Sequence, residues 1–402
     1  MKKSFKKMVA ALMAVALLAA CTPANETATT GGGETASGDN VIKIGVFEPV
    51  TGENGGGGFQ EVLGVRYANE QKKTVTLDGK EYTIELVEVD NKSDKTEAVG
   101  AASSLVSQGV SIVLGSYGSG VSIAAGPTFE EAKIPAIAIS ATNPQVTQGN
   151  EYYFRTCFID PFQGEVMATY AIENGAKNAA LITQLGDDYS SGLGNFFKKG
   201  FEEKGGTLVA EEQFQTNQTD FRAILTNIKA ANPDVIFAPS SIATAPLLLQ
   251  QARELGIEAQ IMAGDTWENQ TIIENAGESA EGVAISTFFD EGDTSNPQAA
   301  EFVKGFKEFV KGNDEYVTKN GGEGVAAVSA LAFDAYNAAY AAIEKAGTTD
   351  SAAIAEALKT VAMSGVTGDL KFDENGDAIK SMAYIKKIEG GQFIFDKTVE
   401  LQ

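Results

Sequence analysis

The chain of 402 residues carries 54 acidic and 31 basic side chains, a formal net charge of −23, and that acidity opposes association with nucleic acid or anionic lipid. It has no histidine and two cysteines, Cys21 and Cys157, which excludes a Cys/His zinc site and any Ser-His or Cys-His nucleophile pair. No catalytic role, metal or cofactor is expected.

Residues 1–20 place Lys2, Lys3, Lys6 and Lys7 ahead of an apolar run from 8 to 20, too short to span a bilayer and composed like an export signal. The run ends Leu18-Ala19-Ala20-Cys21, an order that resembles the bacterial lipobox. Cys21 is therefore expected to be lipidated and to become the mature N-terminus, the alternative being a plain secretory signal with an incidental cysteine. Residues 21–40 are Thr, Gly, Ala, Ser and Glu with almost no apolar bulk, the composition of a flexible tether. Removal of the four leader lysines takes the formal charge from −23 to −27. The remaining residues, roughly 360, exceed what one core usually covers, so two lobes are expected.

From residue 41, short apolar runs alternate with amphipathic stretches. Strands are predicted at 41–47, 82–89, 110–114, 134–139, 179–184, 207–214, 234–239, 261–263 and 282–288. Phe221, Ile224, Leu225 and Ile228 have the i, i+3, i+4, i+7 spacing of one apolar helix face. Continuous apolar strands between helices imply parallel sheets covered on both sides, a doubly wound α/β architecture. The series restarts near Asn178, turns mostly helical from Asn296 with a long helix over 325–345, and ends in a β-rich tail from Leu370.

The stretch 111–147 presents polar groups most clearly. The run Ile112 to Leu114 leads into Gly115-Ser116-Tyr117-Gly118-Ser119-Gly120 and a helix predicted over 121–132, placing Ser119 and Gly120 near a helix N-terminus, where free N–H groups and the dipole favour an anion such as a carboxylate. The next strand opens into Ser140-Ala141-Thr142-Asn143-Pro144 on the same sheet edge, where ligands of open α/β sheets lie. The bland alternative is a capping serine followed by an ordinary turn. GENGGGG at 52–58 lacks the Gly-Lys-Ser/Thr ending of a phosphate-binding loop and reads as a flexible cleft loop. Cys157, between Phe154 and Ile159, reads as a buried small residue.

GSYGSG, ISATNPQVTQGNEYYFR and DPFQG, together with IKIGVFEPVTG, DDYSSGL, PDVIFAPS, GESAEGV and GDLKFDENGD in that family's order, resemble the branched-chain (Leu/Ile/Val-type) amino-acid binding proteins that feed ABC importers. The resemblance implies a type I periplasmic-binding-protein fold, with two doubly wound parallel-sheet lobes joined by crossings near Ile159, Phe289 and Ser381. The lobes would comprise residues 41–158 with 290–380, and 159–289 with 381–402. It implies that Ser119 donates its hydroxyl and amide to a ligand carboxylate beside Gly120. Ser140, Ala141 and Thr142 would offer backbone groups and a hydroxyl, Asp265 would accept from the ammonium, and Tyr189 would close over the ligand. Residue by residue the alternatives stay open: Asp265 three residues before Glu268 also has capping-box spacing, Tyr189 could be an ordinary aromatic, and Trp267 either walls the pocket or belongs to the lobe core.

Where leucine-binding members place tyrosines, this chain has Gly55 to Gly58 and Ser241, and their late aromatic falls at Glu323 or Gly324. The side-chain pocket is expected to have lost much of its apolar wall, which admits an acid, an amide or a bulkier ligand as readily as leucine. The leading reading is a monomeric, lipid-anchored, extracytoplasmic solute receptor that closes on an amino acid and presents it to an ABC permease. The alternative is a ligand-sensing receptor lipoprotein of the same fold that signals to a partner.

Overall fold

The computed structural model describes residues 40–293 and 295–401; the leader, Cys21 and the tether up to residue 39 lie outside the described residues. The chain begins with β1 (Val41–Glu48), α1 (Gly55–Gln71), the antiparallel pair β2 (Thr74–Leu77) and β3 (Lys80–Asp90), α2 (Lys95–Ser107), β4 (Ile112–Leu114), α3 (Ser119–Ala132), β5 (Ala136–Ala138) and β6 (Tyr153–Arg155). It continues with α4 (Asp160–Glu173), β7 (Asn178–Leu185), α5 (Asp188–Glu203), β8 (Thr207–Gln215), α6 (Arg222–Ala231), β9 (Val235–Phe237), α7 (Ala245–Glu254), β10 (Gln260–Ala263), α8 (Gln270–Ala276) and β11 (Ala284–Thr287). Four helices follow, α9 (Pro297–Lys311), α10 (Asp314–Asn320), α11 (Ala327–Ala346) and α12 (Ser351–Leu358), then the hairpin β12 (Ala362–Gly365) and β13 (Gly368–Lys371), and finally β14 (Met382–Glu389) and β15 (Gln392–Glu400).

Two large sheets result, one per lobe. The first has the order β2-β3-β1-β4-β5-β6, parallel except for β2, and the second β15-β14-β11-β10-β9-β7-β8, parallel except for β14 and β15. In β1 the alternation of the pleat sends Ile42, Ile44 and Val46 to the core that α1 and α11 cover, and Phe47 to the core under α2 and α3. Burial on both faces explains why these strands read as continuous apolar runs. The Ala-rich α11 lies along α1, and they cross at Gly64, where a β-carbon would stand 2.2 Å from the Ser329 carbonyl oxygen. Helix starts follow side-chain caps: Asp94 accepts from the Thr96 and Glu97 amides, and Asp187 from that of Ser190.

The predicted strands are found within a few residues of their expected ends, with three additions. The strand β2 and the small β12–β13 hairpin are short and peripheral. The strand β6 contains Arg155, whose fully buried guanidinium pairs with Asp377 and donates to the carbonyls of Ala141 and Asn143, both at 2.9 Å. A buried charge is tolerated there because it is paired and hydrogen-bonded. The glycines 55–58 form the first turn of α1 instead of a free loop. A β-carbon on Gly58 would lie 2.0 Å from the Pro49 carbonyl oxygen, and one on Gly57 would lie 2.3 Å from the Tyr117 ring. At Gly57 and Gly58 the turn is pressed too closely against its neighbours to take a side chain without their moving.

Candidate functional site

The carboxyl ends of the two sheets face each other, and a set of hydrogen bonds crosses between them. Tyr117 Oη donates to the Thr266 carbonyl at 3.1 Å, Asn143 Nδ2 to the Asp188 carbonyl at 2.8 Å, and the Ile242 amide to Asn54 Oδ1 at 3.1 Å. Gln184 Nε2 donates to Glu53 at 2.9 Å, and Lys95 Nζ stands 2.7 Å from Asp188 Oδ2. These contacts bring the Ser119 and Ser140–Thr142 loops of the first lobe against Tyr189 and Asp265 of the second.

On the first lobe, α3 starts at Ser119 with Gly118 as its cap and no side-chain acceptor on its first amides, so its N-terminus keeps the donors a carboxylate needs. Ser119 Oγ accepts from the Asn143 amide at 3.2 Å, which ties the two loops together. Gly120 sits beneath the Lys95–Asp188 pair, with a β-carbon there falling 2.8 Å from Lys95 Cε. Ser140 Oγ donates to Glu61, the Ala141 carbonyl is held by Arg155, and the buried Thr142 hydroxyl faces Asp160. Neither Thr142 Oγ1 nor either oxygen of Asp160 has a partner of regular geometry among the described residues.

On the second lobe, Asp265 is 2% exposed, opens a short 3-10 turn, and accepts at Oδ1 from Gln163 Nε2 at 2.8 Å and from Tyr189 Oη at 3.0 Å. Its side chain caps no helix; the capping position belongs to Gly264. Burial pushes its carboxyl up to about 6, against the hydrogen bonds from Gln163 and Tyr189. Burial likewise raises Asp160, to about 8. Tyr189 is thus neither surface nor plain core, because its hydroxyl bonds Asp265 and also accepts from Thr266 Oγ1 at 3.2 Å. The Trp267 ring belongs to the apolar core, with its Nε1 donating to the Ser240 carbonyl at 3.1 Å. Ser241 is buried against Thr244, its hydroxyl 2.9 Å from that of Thr244.

Sequence reasoning missed four residues here. Asp160 and Gln163 lie in DPFQG, and the Asp160 amide donates to the Thr142 carbonyl at 2.9 Å. Glu61 supports Ser140, and Tyr117 lies inside GSYGSG. The Tyr117 ring packs against Gly57, from a loop other than the one where the sequence lacks a tyrosine. Glu323 and Gly324 lie on a loop lining a cavity of about 450 Å³ together with Gln60, Glu268, Asp290 and Lys386. Lys386 is paired there with Glu268 at 2.6 Å and Asp290 at 3.5 Å. Cys157 is fully buried and unbonded, as its apolar setting suggests. Among the described residues no group of His, Cys, Asp and Glu is placed to hold a metal ion, and no helix is long and apolar enough to cross a membrane.

The model of the family described as "Periplasmic binding protein" matches residues 41–392. The chain is 30% identical to the Leu/Ile/Val-binding protein homolog 1 of Brucella melitensis, covering 84% of this chain and 87% of that one. It is 28% identical to the leucine-, isoleucine-, valine-, threonine- and alanine-binding protein of Pseudomonas aeruginosa, with the same coverage. Among solved structures, the leucine-binding protein LivK of Thermotoga maritima superposes with a TM-score of 0.82 at 37% identity, over 89% of this chain and 99% of that one. LivJ of Streptococcus pneumoniae, in complex with isoleucine, gives 0.80 at 30% identity, over 90% and 100%. With its two parallel-dominated sheets facing each other across a polar cleft, the chain belongs to the periplasmic binding protein family and has the type I fold.

Proposed function

We propose that this protein captures an amino acid, of the branched-chain type or a related one, between its lobes and delivers it to an ABC importer. The lobes are residues 41–158 with 290–380, and 159–289 with 381–402. One observation supports the reading: the first lobe keeps free donors at the N-terminus of α3 beside Ser119, and the second lobe holds a buried, hydrogen-bonded carboxylate at Asp265. That is the polarity a zwitterion needs. In this reading the ligand carboxylate meets Ser119 and the first amides of α3, while the ammonium meets Asp265, the Thr142 hydroxyl and the Ser140 carbonyl. The Asp160 carboxyl, facing Thr142 with neither oxygen in a hydrogen bond of regular geometry among the described residues, adds a second acceptor nearby, and Tyr189 closes over the ligand.

Charged hydrogen bonds of about 1.5–3 kcal/mol each, less the cost of association, support roughly micromolar affinity. Groups from both lobes make the closed form the tighter binder, so the ligand drives a hinge closure that a permease can recognise. Binding and release complete this task without any bond-making chemistry. Cys21 anchors the monomer to the outer face of the cell membrane, and residues 22–40 tether the folded part.

A thermal-shift screen of the twenty standard amino acids, followed by calorimetry, tests the reading. A ligand at a hundredfold excess over its dissociation constant stabilises by about 2.7 kcal/mol, a readily measured melting shift. At least one amino acid is expected to bind in the micromolar range; no shift with any of the twenty would overturn the proposal.

A further inference from the structure

Two carboxyl groups, Glu48 and Glu61, lie beneath the proposed ligand loops of the first lobe, and neither forms a salt bridge with a basic side chain among the described residues. Glu48, the last residue of β1, is 1% exposed, and Glu61 on α1 is 0% exposed. Glu48 Oε2 accepts from the Tyr117 amide at 2.8 Å and lies 3.5 Å from Ser116 Oγ, which Asn91 Nδ2 in turn reaches at 2.9 Å. Glu61 Oε1 accepts from Ser140 Oγ. The other oxygens, Glu48 Oε1 and Glu61 Oε2, are buried without a hydrogen-bond partner among the described residues, and the two carboxyls lie close enough for each to act on the other.

Two carboxylates can hydrogen-bond only if one carries a proton, and two buried negative charges side by side would each lack compensation. The pair therefore joins the Ser116–Ser119 loop to the Ser140–Thr142 loop through a single proton. We infer that Glu48 and Glu61 are positioning residues, a proton-sharing carboxyl pair that sets the spacing of the two loops that meet the ligand. The inference rests on the ligand site proposed above.

The groups facing the pair are Tyr117 from the loop after β4, Tyr153 from β6, Cys157 beyond β6, and Asp265 from the opposite lobe. None supplies a positive charge. Arg155 on β6 is engaged with Asp377 and with the Ala141 and Asn143 carbonyls. Burial, reinforced by Glu61, raises Glu48, and burial raises Glu61 to about 8. With both carboxyls raised by burial, the pair stays protonated at neutral pH and becomes doubly charged only under alkaline conditions, where repulsion would drive the loops apart.

The test compares the full-length mature protein with its Glu61→Gln and Glu61→Ala variants. The amide of Gln can accept from Ser140 and donate to Glu48, keeping the bridge without a titrating proton. Titrations with L-isoleucine between pH 6 and 10 are expected to show wild-type affinity falling by up to tenfold per pH unit above about 8. Glu61→Gln should stay within about threefold of wild type at pH 7 and decline less steeply, and Glu61→Ala should be weak throughout. The ligand's own ammonium titrates alike for every variant, so the ratio between variants is the readout. Parallel alkaline curves for wild type and Glu61→Gln, or equal losses in Gln and Ala at pH 7, would overturn the inference.

A ligand-free arm uses infrared difference spectroscopy. The protonated-carboxyl band of the wild type at pH 7 is expected to shrink in Glu61→Gln; an unchanged band would refute the shared proton. Absence of isoleucine heat in the wild type would count against isoleucine as the ligand, while the infrared result still decides the pair.

Discussion

Replacing Asp265 with Asn separates binding from stability, because the two are expected to move in opposite directions. Burial holds the Asp265 carboxyl at about 6 instead of the ordinary aspartate value of 3.8. At about 1.4 kcal/mol per pH unit, the folded, ligand-free protein carries about 3 kcal/mol of unfavourable energy at neutral pH to keep this group ionised. The Asn Oδ1 can still accept from Gln163 and Tyr189, so the local bonds survive while the charge is gone. Loss of a charged hydrogen bond to the ligand ammonium, about 3 kcal/mol, lowers affinity roughly hundredfold. Calorimetric titration and denaturant unfolding of the same variant should therefore show weak binding in a protein at least as stable as the wild type. Near-normal affinity in a destabilised variant would refute the ligand role and return Asp265 to a structural one.

Acidification should likewise divide the two properties. A carboxyl raised on folding contributes stability that is present at low pH and lost as pH rises through its folded value, so Asp265 and Asp160 make the ligand-free protein more stable at pH 5 than at pH 8. Amino-acid affinity should fall below about pH 6 as Asp265 takes up a proton, and melting curves with titrations across that range check both signs. Gly57→Ala would drive a β-carbon to 2.3 Å from Tyr117 Cζ, costing about 1–3 kcal/mol; adding Tyr117→Ala should recover much of the loss in melting experiments. Cys21→Ser should leave ligand binding intact and release the exported protein from the membrane fraction, whereas unchanged membrane association would remove the anchor.

The lobes were legible because runs such as Ile112-Val113-Leu114 and Val235-Ile236-Phe237 are apolar on both faces, which only a sheet covered on both sides rewards. Helix α3 was legible too, since glycine and serine after the buried run Ile112-Val113-Leu114 mark a helix start. What could not be read was set by partners far along the chain. The Asp265-x-x-Glu268 spacing fits a cap, yet the side chain caps no helix and is held by Gln163 and Tyr189, 102 and 76 residues away. The first turn of α1 read as a loop because its glycines are demanded by Tyr117 and Pro49 and by no local rule. Glu48 and Glu61, on different elements, carry no spacing that marks them as a pair, and only the fold buries both.

The Arg155–Asp377 pair spans 222 residues and fixes the carbonyls of the Ala141–Asn143 segment. During synthesis, every strand of the first sheet is made by residue 155, yet the arginine that braces the Ala141–Asn143 loop must wait for a counter-ion that emerges more than half a chain length later. Until then a buried guanidinium would lack its charge partner, and the sheet would also lack the cover of α11. Contacts of such long sequence separation form late and fold slowly. Ligand competence is therefore expected to be among the last properties the nascent molecule acquires, and a chain ending before residue 377 should have its first sheet's sequence complete without being able to hold an amino acid.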